Sequence, residues 1–233
     1  MGAARSLGTA PATSLNGCGR ACTTVRFVRI VDRDVIFERH GGVHEPSPFT
    51  EVLANGLPDC SGMRCVDAGA GAGAISLAML IRGAREVVAL EWDPVALLDA
   101  RRNVERELGR AQPLRLVEGD FTDLLDFPAD LVASNPPQRP RLVWEQSGAD
   151  AGFNIGGEDG LDAVRSILVH ARAPQVVLSL SSLVCPDPTA LGRRVRYACE
   201  LLLEHPVEHD AAWSAIGPLD GAGVRVWRFT RAI

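Results

Sequence analysis

The sequence contains no lysine: all 24 of its basic residues are arginine, which excludes Schiff-base chemistry and a lysine general base. Basic charge is also in deficit, 24 residues against 29 acidic ones, for a formal net charge of −5. That balance disfavours nucleic acid as a partner, because sequence-independent binding draws on a basic surface to neutralise phosphates. The six cysteines, at 18, 22, 60, 65, 185 and 199, contain no CxxC pair and no zinc-type Cys/His spacing. No metal is assigned, and reduced thiols of a cytoplasmic protein are expected. No apolar run approaches the ~18 residues of a membrane-spanning helix. The Gly-, Ala-, Ser- and Thr-rich start also lacks the apolar block of a signal peptide, so residues 1–22 are expected to be a disordered leader.

What is present is an ordinary globular composition, 46% apolar and 23% charged over 233 residues, long enough for one sizeable core. Residues 23–39 alternate apolar and charged positions around an Asp-Arg-Asp turn, which predicts a β-hairpin. Its exposed edge either lids a site or pairs with another subunit, so a dimer is one possible state. The hairpin and the loop and short helix after it, capped by Thr50, form an N-terminal segment over 23–58, followed by the main domain over 59–233. From Arg64 onwards, short apolar runs alternate with amphipathic segments, the pattern of a parallel sheet covered by helices. Strands are predicted near 64–68, 86–91, 114–118, 130–134 and 175–181, and helices near 73–82, 94–108, 160–172 and 188–204. Segments 207–216 and 224–232 are strand-like with no room for a helix between them, which requires an antiparallel pair.

The chemistry-bearing residues sit at predicted strand tips. Asp67-Ala68-Gly69-Ala70-Gly71-Ala72-Gly73 places three alternating glycines between a strand and a helix. Glycine there serves either close approach of a ligand to the main chain or close strand–helix packing. The next strand ends at Glu91-Trp92, and a carboxylate at that tip can accept both hydroxyl protons of a ribose. The pairing favours a nucleoside cofactor. The spacing GxGxG departs from a pyrophosphate loop, and Asp67 suits a cationic ammonium but would repel a pyrophosphate. A third tip carries Asp120-Phe121, an acid and a ring suited to the amine and face of an adenine, with a turn cap as the alternative role for Asp120. A fourth tip carries Asn135-Pro136-Pro137-Gln138 at the carboxyl end of a strand, where doubly wound folds bind ligands. Its prolines leave carbonyls without competing N–H groups, and the Asn135 amide adds an acceptor and a donor.

With those four tips in order, the chain resembles the class I S-adenosylmethionine methyltransferases, in the Asn-Pro-Pro-Tyr/Phe branch that includes the release-factor glutamine methyltransferases and the N6-adenine methyltransferases. The resemblance covers roughly 43–172. GVHEPSPFT, with His44, Glu45, Pro46 and Thr50, is similar to the family's GVYEPxxDT loop, and NIGGEDGL, with Gly156, Gly157, Asp159, Gly160 and Leu161, is similar to its GGxDGL segment. It implies a doubly wound, mostly parallel seven-stranded sheet with an antiparallel C-terminal strand, and S-adenosylmethionine as cofactor. It also implies cofactor contacts from Asp67, Gly69, Ala70, Gly71, Gly73, Glu91, Trp92, Asp120, Phe121, Asn135 and Thr50, and catalysis at Asn135, Pro136, Pro137 and Gln138. The sequence departs from the family at two positions. Gln138 stands where the family has a ring that stacks on a planar acceptor, and Phe49 stands where it has an acid.

Those departures set the substrate expectation. A carboxamide in place of a ring argues for an acceptor held by hydrogen bonds, hence N- or O-methylation of a small polar metabolite, with protein glutamine methylation as the alternative and a non-catalytic adenosine-binding module as a third reading. Candidate substrate contacts are His44, Phe49, Arg139, Arg141, Trp144, Glu158 and Asp159. The arginines would clamp a carboxylate, and His44, Glu45, Glu158 or Asp159 would take a proton from an amine.

Overall fold

The computed structural model describes residues 23–147 and 155–232. The expected leader at 1–22, with Cys18 and Cys22, and Asn154 of the GGxDGL-like segment lie outside the described residues.

The short apolar runs do form strands. β3 (Arg64–Ala68), β4 (Glu86–Glu91), β6 (Leu131–Ser134) and β7 (Gln175–Ser181) are buried along nearly their whole length. Continuous apolar character is what a strand covered on both faces requires. With β5 (Leu114–Glu118), β8 (Tyr197–Pro206) and β9 (Gly223–Arg231) they make a seven-stranded sheet of order β5-β4-β3-β6-β7-β9-β8. β9 runs antiparallel to both of its neighbours, and the other pairings are parallel. Strand order reverses between β3 and β6, which pair with Asp67 opposite Ala133. This is the switch point at which open α/β sheets bind ligands, and it places the glycine loop beside the Asn135 loop.

The covering helices are α2 (Ala74–Ile81), α3 (Pro94–Leu108), α4 (Arg141–Ser147), α5 (Asp162–His170) and α6 (Thr189–Arg194). They follow α1 (Pro48–Gly56), whose cap is Ser47 rather than the expected Thr50. Ser47 Oγ accepts the Thr50 N–H and Thr50 Oγ1 accepts the Ser47 N–H, a reciprocal box that also admits Pro48 as the first helical residue.

β1 (Thr23–Ile30) and β2 (Arg33–His40) form the expected hairpin as a separate two-stranded sheet, turning at Val31 and Asp32, both with positive φ. It faces the core with Val28, Ile30, Val35 and Phe37. Buried Asp99 of α3 holds its end, accepting the His40 N–H at 2.8 Å and facing His40 Nδ1 at 2.5 Å, while Asn103 pairs with the Glu38 backbone.

The C-terminal third differs from expectation. The helix predicted over 188–204 stops at Arg194, and Arg196 at φ 62° turns the chain into β8. The strand predicted over 207–216 is instead a loop with a 3-10 turn at Ala211–Ala215. An antiparallel partner for β9 exists, but it is Tyr197–Pro206. A bulge between Leu201 and Leu203 disrupts the in/out alternation that would have marked that strand.

Candidate active site

A cleft of about 400 Å3 opens at the carboxyl ends of β3, β4 and β6, between the glycine loop and the segment that follows β8. Gly69, Gly71 and Gly73 have φ of +77°, +50° and +88°, conformations that L side chains rarely adopt. Their roles divide. A Cβ on Gly73 would lie 2.8 Å from Ala100 Cα, so this glycine lets α3 pack against the start of α2, whereas a Cβ on Gly71 would meet no atom within 4 Å. Gly69 and Gly71 line the cleft with Ala70, and Gly73 does not.

Glu91 ends β4 and is 7% exposed. Its Oε2 accepts the Gly71 N–H at 2.9 Å, and its Oε1 accepts the N–H groups of Trp92 and Asp93 at 3.0 and 3.2 Å. The carboxylate thereby fixes the glycine loop while lining the cleft, as do Trp92 and Phe121. Asp67 stands elsewhere: fully buried, it does not line the cleft. Its Oδ2 accepts the Ser76 N–H and hydroxyl at 2.8 and 2.7 Å, and its Oδ1 has no hydrogen-bond partner. Burial pushes this carboxyl up to about 7. Asp120 is a correction. It lies outside the cleft and caps the turn Phe121–Asp126, with Oδ1 accepting from Thr122 N–H and Oγ1, bonds that hold its pKa below the usual carboxylate range. The turn-capping reading prevails because the chain bends into that 3-10 turn directly after β5.

Asn135 follows β6 and is gripped from two sides. Its Oδ1 accepts the Ser179 hydroxyl at 2.8 Å, and its Nδ2 donates to Thr50 Oγ1 at 3.0 Å and to Ser47 Oγ at 3.4 Å. The N-terminal box of α1 therefore also orients the Asn135 amide. Gln138 is 5% exposed and does not present a free carboxamide to an acceptor. Its Nε2 donates to the Ser179 carbonyl at 3.0 Å and to the Pro136 carbonyl at 3.4 Å, and its Oε1 accepts the Ser181 N–H at 2.6 Å, so both ends of the amide are engaged and it ties its own loop to β7.

Of the expected substrate contacts, His44, Phe49 and Arg139 line the cleft, as does Glu45, which is paired with Arg26 and Arg39. Arg141, Trp144, Glu158 and Asp159 do not. Arg141 pairs with Glu158, and Asp159 pairs with Arg165 and accepts the Leu161 N–H, so those charges serve the loop before α5. Sequence reasoning missed His209, Asp210 and Trp213, which line the cleft from the segment after β8. The only signal was their chemistry, and it was absorbed by reading 207–216 as a strand.

The sequence and the fold have counterparts among known proteins. The family model of the methyltransferase small domain matches residues 40–150. The chain is 35% identical over 191 residues to a release factor glutamine methyltransferase of Gloeobacter violaceus, covering 72% of this chain and 64% of that one. It is 32% identical over 148 residues to a ribosomal protein uL3 glutamine methyltransferase of Neisseria meningitidis, covering 61% of this chain and 46% of that one. The chain thus spans less than two thirds of the length of these relatives. Among solved structures, the T. thermophilus 16S rRNA methyltransferase RsmC in complex with AdoMet and guanosine superposes with a TM-score of 0.60 at 20% identity, over 89% of this chain and 50% of that one.

These relatives overturn the expectation of a small metabolite as acceptor and partner. They are named for glutamine methylation in proteins, and the premise of that expectation, a Gln138 amide open to substrate, fails in the structure, where β7 engages it. The sheet order and the superposition show the fold of the class I S-adenosylmethionine-dependent methyltransferases, and in sequence the chain resembles the release factor glutamine methyltransferases.

Proposed function

We propose that the protein methylates the side-chain amide nitrogen of a glutamine in a protein of the translation machinery. The observation that carries this reading is the placement of the Asn135 amide, held by Ser47, Thr50 and Ser179 at the switch point beside the glycine loop. The names of the relatives supply the acceptor class, and such a substrate would place the reaction in the cytoplasm.

The residues present fit the cofactor. Gly69 and Gly71 leave the main chain open to the cleft, Glu91 offers a carboxylate at the place for a ribose, and Phe121 offers a ring for an adenine. Asp67 acts from behind the loop, anchoring the start of α2 through Ser76. When bound, S-adenosylmethionine supplies a methyl group on a positively charged sulfur, a leaving group that needs no protonation.

A carboxamide nitrogen is a poor nucleophile because its lone pair is delocalised into the carbonyl. Asn135 Oδ1 and the Pro136 carbonyl are acceptors on one loop and can take the two N–H protons of the acceptor amide, holding its plane so that the nitrogen faces the methyl group. The chain's contribution is alignment and exclusion of water. Transfer to nitrogen would break the carbon–sulfur bond of the bound donor with its electron pair staying on sulfur, and the acceptor's N–H proton would pass to water through its hydrogen bond to Asn135 Oδ1 or the Pro136 carbonyl. A protonated N-methyl amide is strongly acidic, so no dedicated base is needed.

Incubation with methyl-labelled cofactor, separately with purified release factors and ribosomal proteins and with a small-molecule extract, tests this. Label is expected in the protein fraction. Label confined to the small molecules would refute it.

A further inference from the structure

The two departures from the family pattern, Gln138 for a ring and Phe49 for an acid, lie on the same cleft, and hydrogen bonds followed by a ring contact connect them through the segment after β8. Asn135 Oδ1 accepts from Ser179 Oγ at 2.8 Å, the Ser179 carbonyl accepts from Gln138 Nε2 at 3.0 Å, Gln138 Oε1 accepts from the Ser181 N–H at 2.6 Å, and Ser181 Oγ lies 3.1 Å from His209 Nε2. His209 in turn meets Phe49 edge to face, ring centroids 5.6 Å apart at 79°, and Trp213 at 4.9 Å and 72°. A ring is missing from the motif, and a cluster of rings has been gathered beside it.

The state of His209 follows from its partners. Its Nδ1 lies 3.0 Å from the Val207 carbonyl, which can only accept, so Nδ1 carries the proton and Nε2 accepts from the Ser181 hydroxyl. Burial holds its pKa below the ordinary imidazole value, against the pull of the Val207 carbonyl and of Asp210. The ring is therefore neutral near physiological pH. Arg139 lies over Trp213, 5.5 Å from the ring centroid, and is tied to Asp210 at 2.6 Å, which fixes this segment against the Asn135 loop.

We propose that Phe49 and His209, set nearly perpendicular to each other and backed by Trp213, form an aromatic corner against one face of which the acceptor carboxamide lies, replacing the ring that the family carries after the second proline. This rests on the glutamine reading above. Gln138 is then a positioning residue: by giving its amide to β7 it holds the loop that bears Asn135 in register with His209. An amide plane seated against one ring face of this corner keeps its N–H edge free for the remaining lone pairs of Asn135 Oδ1, which also accepts from Ser179, and of the Pro136 carbonyl, which also accepts from Gln138 Nε2.

The test compares Phe49→Ala, His209→Leu and His209→Phe in the full chain, using the release factor or ribosomal protein that accepts label as substrate and S-adenosylhomocysteine titration as the check on folding. For Phe49→Ala and His209→Leu the expected result is a KM for the protein acceptor raised roughly five- to tenfold, with kcat reduced less and with S-adenosylhomocysteine affinity within about twofold of wild type. His209→Phe keeps a ring and should restore most of the lost KM. Wild-type KM in His209→Leu and Phe49→Ala, or an equal loss in His209→Phe and His209→Leu, overturns the proposal while leaving glutamine methylation intact. Absence of glutamine methylation by the wild type overturns both.

Discussion

Gln138 Oε1 accepts the backbone N–H of Ser181 at 2.6 Å, a buried bond that joins the loop after β6 to the end of β7. Restoring the family's ring by Gln138→Tyr is therefore expected to damage the protein. The ring cannot satisfy the Ser181 N–H or the Ser179 carbonyl and must fit where Gly156 and Gly160 already crowd the Gln138 backbone. A loss of roughly 2–4 kcal/mol is expected from unsatisfied polar groups and overpacking. Denaturant unfolding measures it, and unchanged stability would show that Gln138 is no clamp.

Glu91 joins the glycine loop to the cleft. Glu91→Ala removes both the carboxylate assigned to the ribose and the acceptor of the Gly71 N–H, so affinity for S-adenosylhomocysteine should fall by about 1–3 kcal/mol, or roughly 5- to 150-fold. Calorimetric titration decides the point, and an unchanged dissociation constant would remove Glu91 from the cofactor site.

Asp67 makes stability depend on pH in a particular direction. Burial raises its pKa in the folded chain to about 7, partly offset by its Ser76 hydrogen bonds and reinforced by the negative charge of Glu91, while the unfolded value is about 3.9. Below the unfolded value both states are protonated and no charge is buried. As pH rises from there towards about 7 the unfolded chain ionises first, so stability is lost through that window and levels off above it. Asp67→Asn should abolish this loss, on the order of a few kcal/mol. Melting of the two proteins between about pH 4 and pH 8 tests it, and parallel profiles would contradict the assignment.

Gly73 is the glycine whose role is packing. Gly73→Ala must hold an alanine at φ +88° with its Cβ 2.8 Å from Ala100 Cα, and a loss of roughly 2–4 kcal/mol is expected. Gly71→Ala meets no neighbour within 4 Å, so it should cost less stability and more cofactor affinity. Equal effects of the two variants on both quantities would argue against this division.

Much of the fold was legible because the parallel strands are continuous apolar runs and their tips carry local motifs: Asp67 to Gly73, Glu91 and Asn135 are each recognisable within a few residues of sequence. What was not legible depends on distant partners. Tyr197–Pro206 carries Tyr197, Ala198, Leu201 and Leu202 at spacings that suit a helix, and the bulge at Leu201/Leu203 breaks the alternation of Tyr197, Cys199 and Leu201 that would have marked a strand. Asp120 could only be assigned to a cap once the turn after β5 was seen. The Gln138 amide reaches residues more than 40 positions away, so a side chain that read as a substrate contact proves to be internal. His209 and Trp213 reach the cleft only because β8 ends ten residues earlier than expected, at Pro206 rather than Ile216.

The central claim is that Asn135 presents a glutamine carboxamide to the methyl donor. Its most direct test is tandem mass spectrometry of a protein acceptor methylated by the wild type and by Asn135→Ala. The account predicts the methyl group on a glutamine side-chain nitrogen, and a loss of roughly 10²-fold or more in the rate for Asn135→Ala with cofactor affinity nearly unchanged. A methyl group located on any other side chain, or an Asn135→Ala variant that transfers at the wild-type rate, would contradict it.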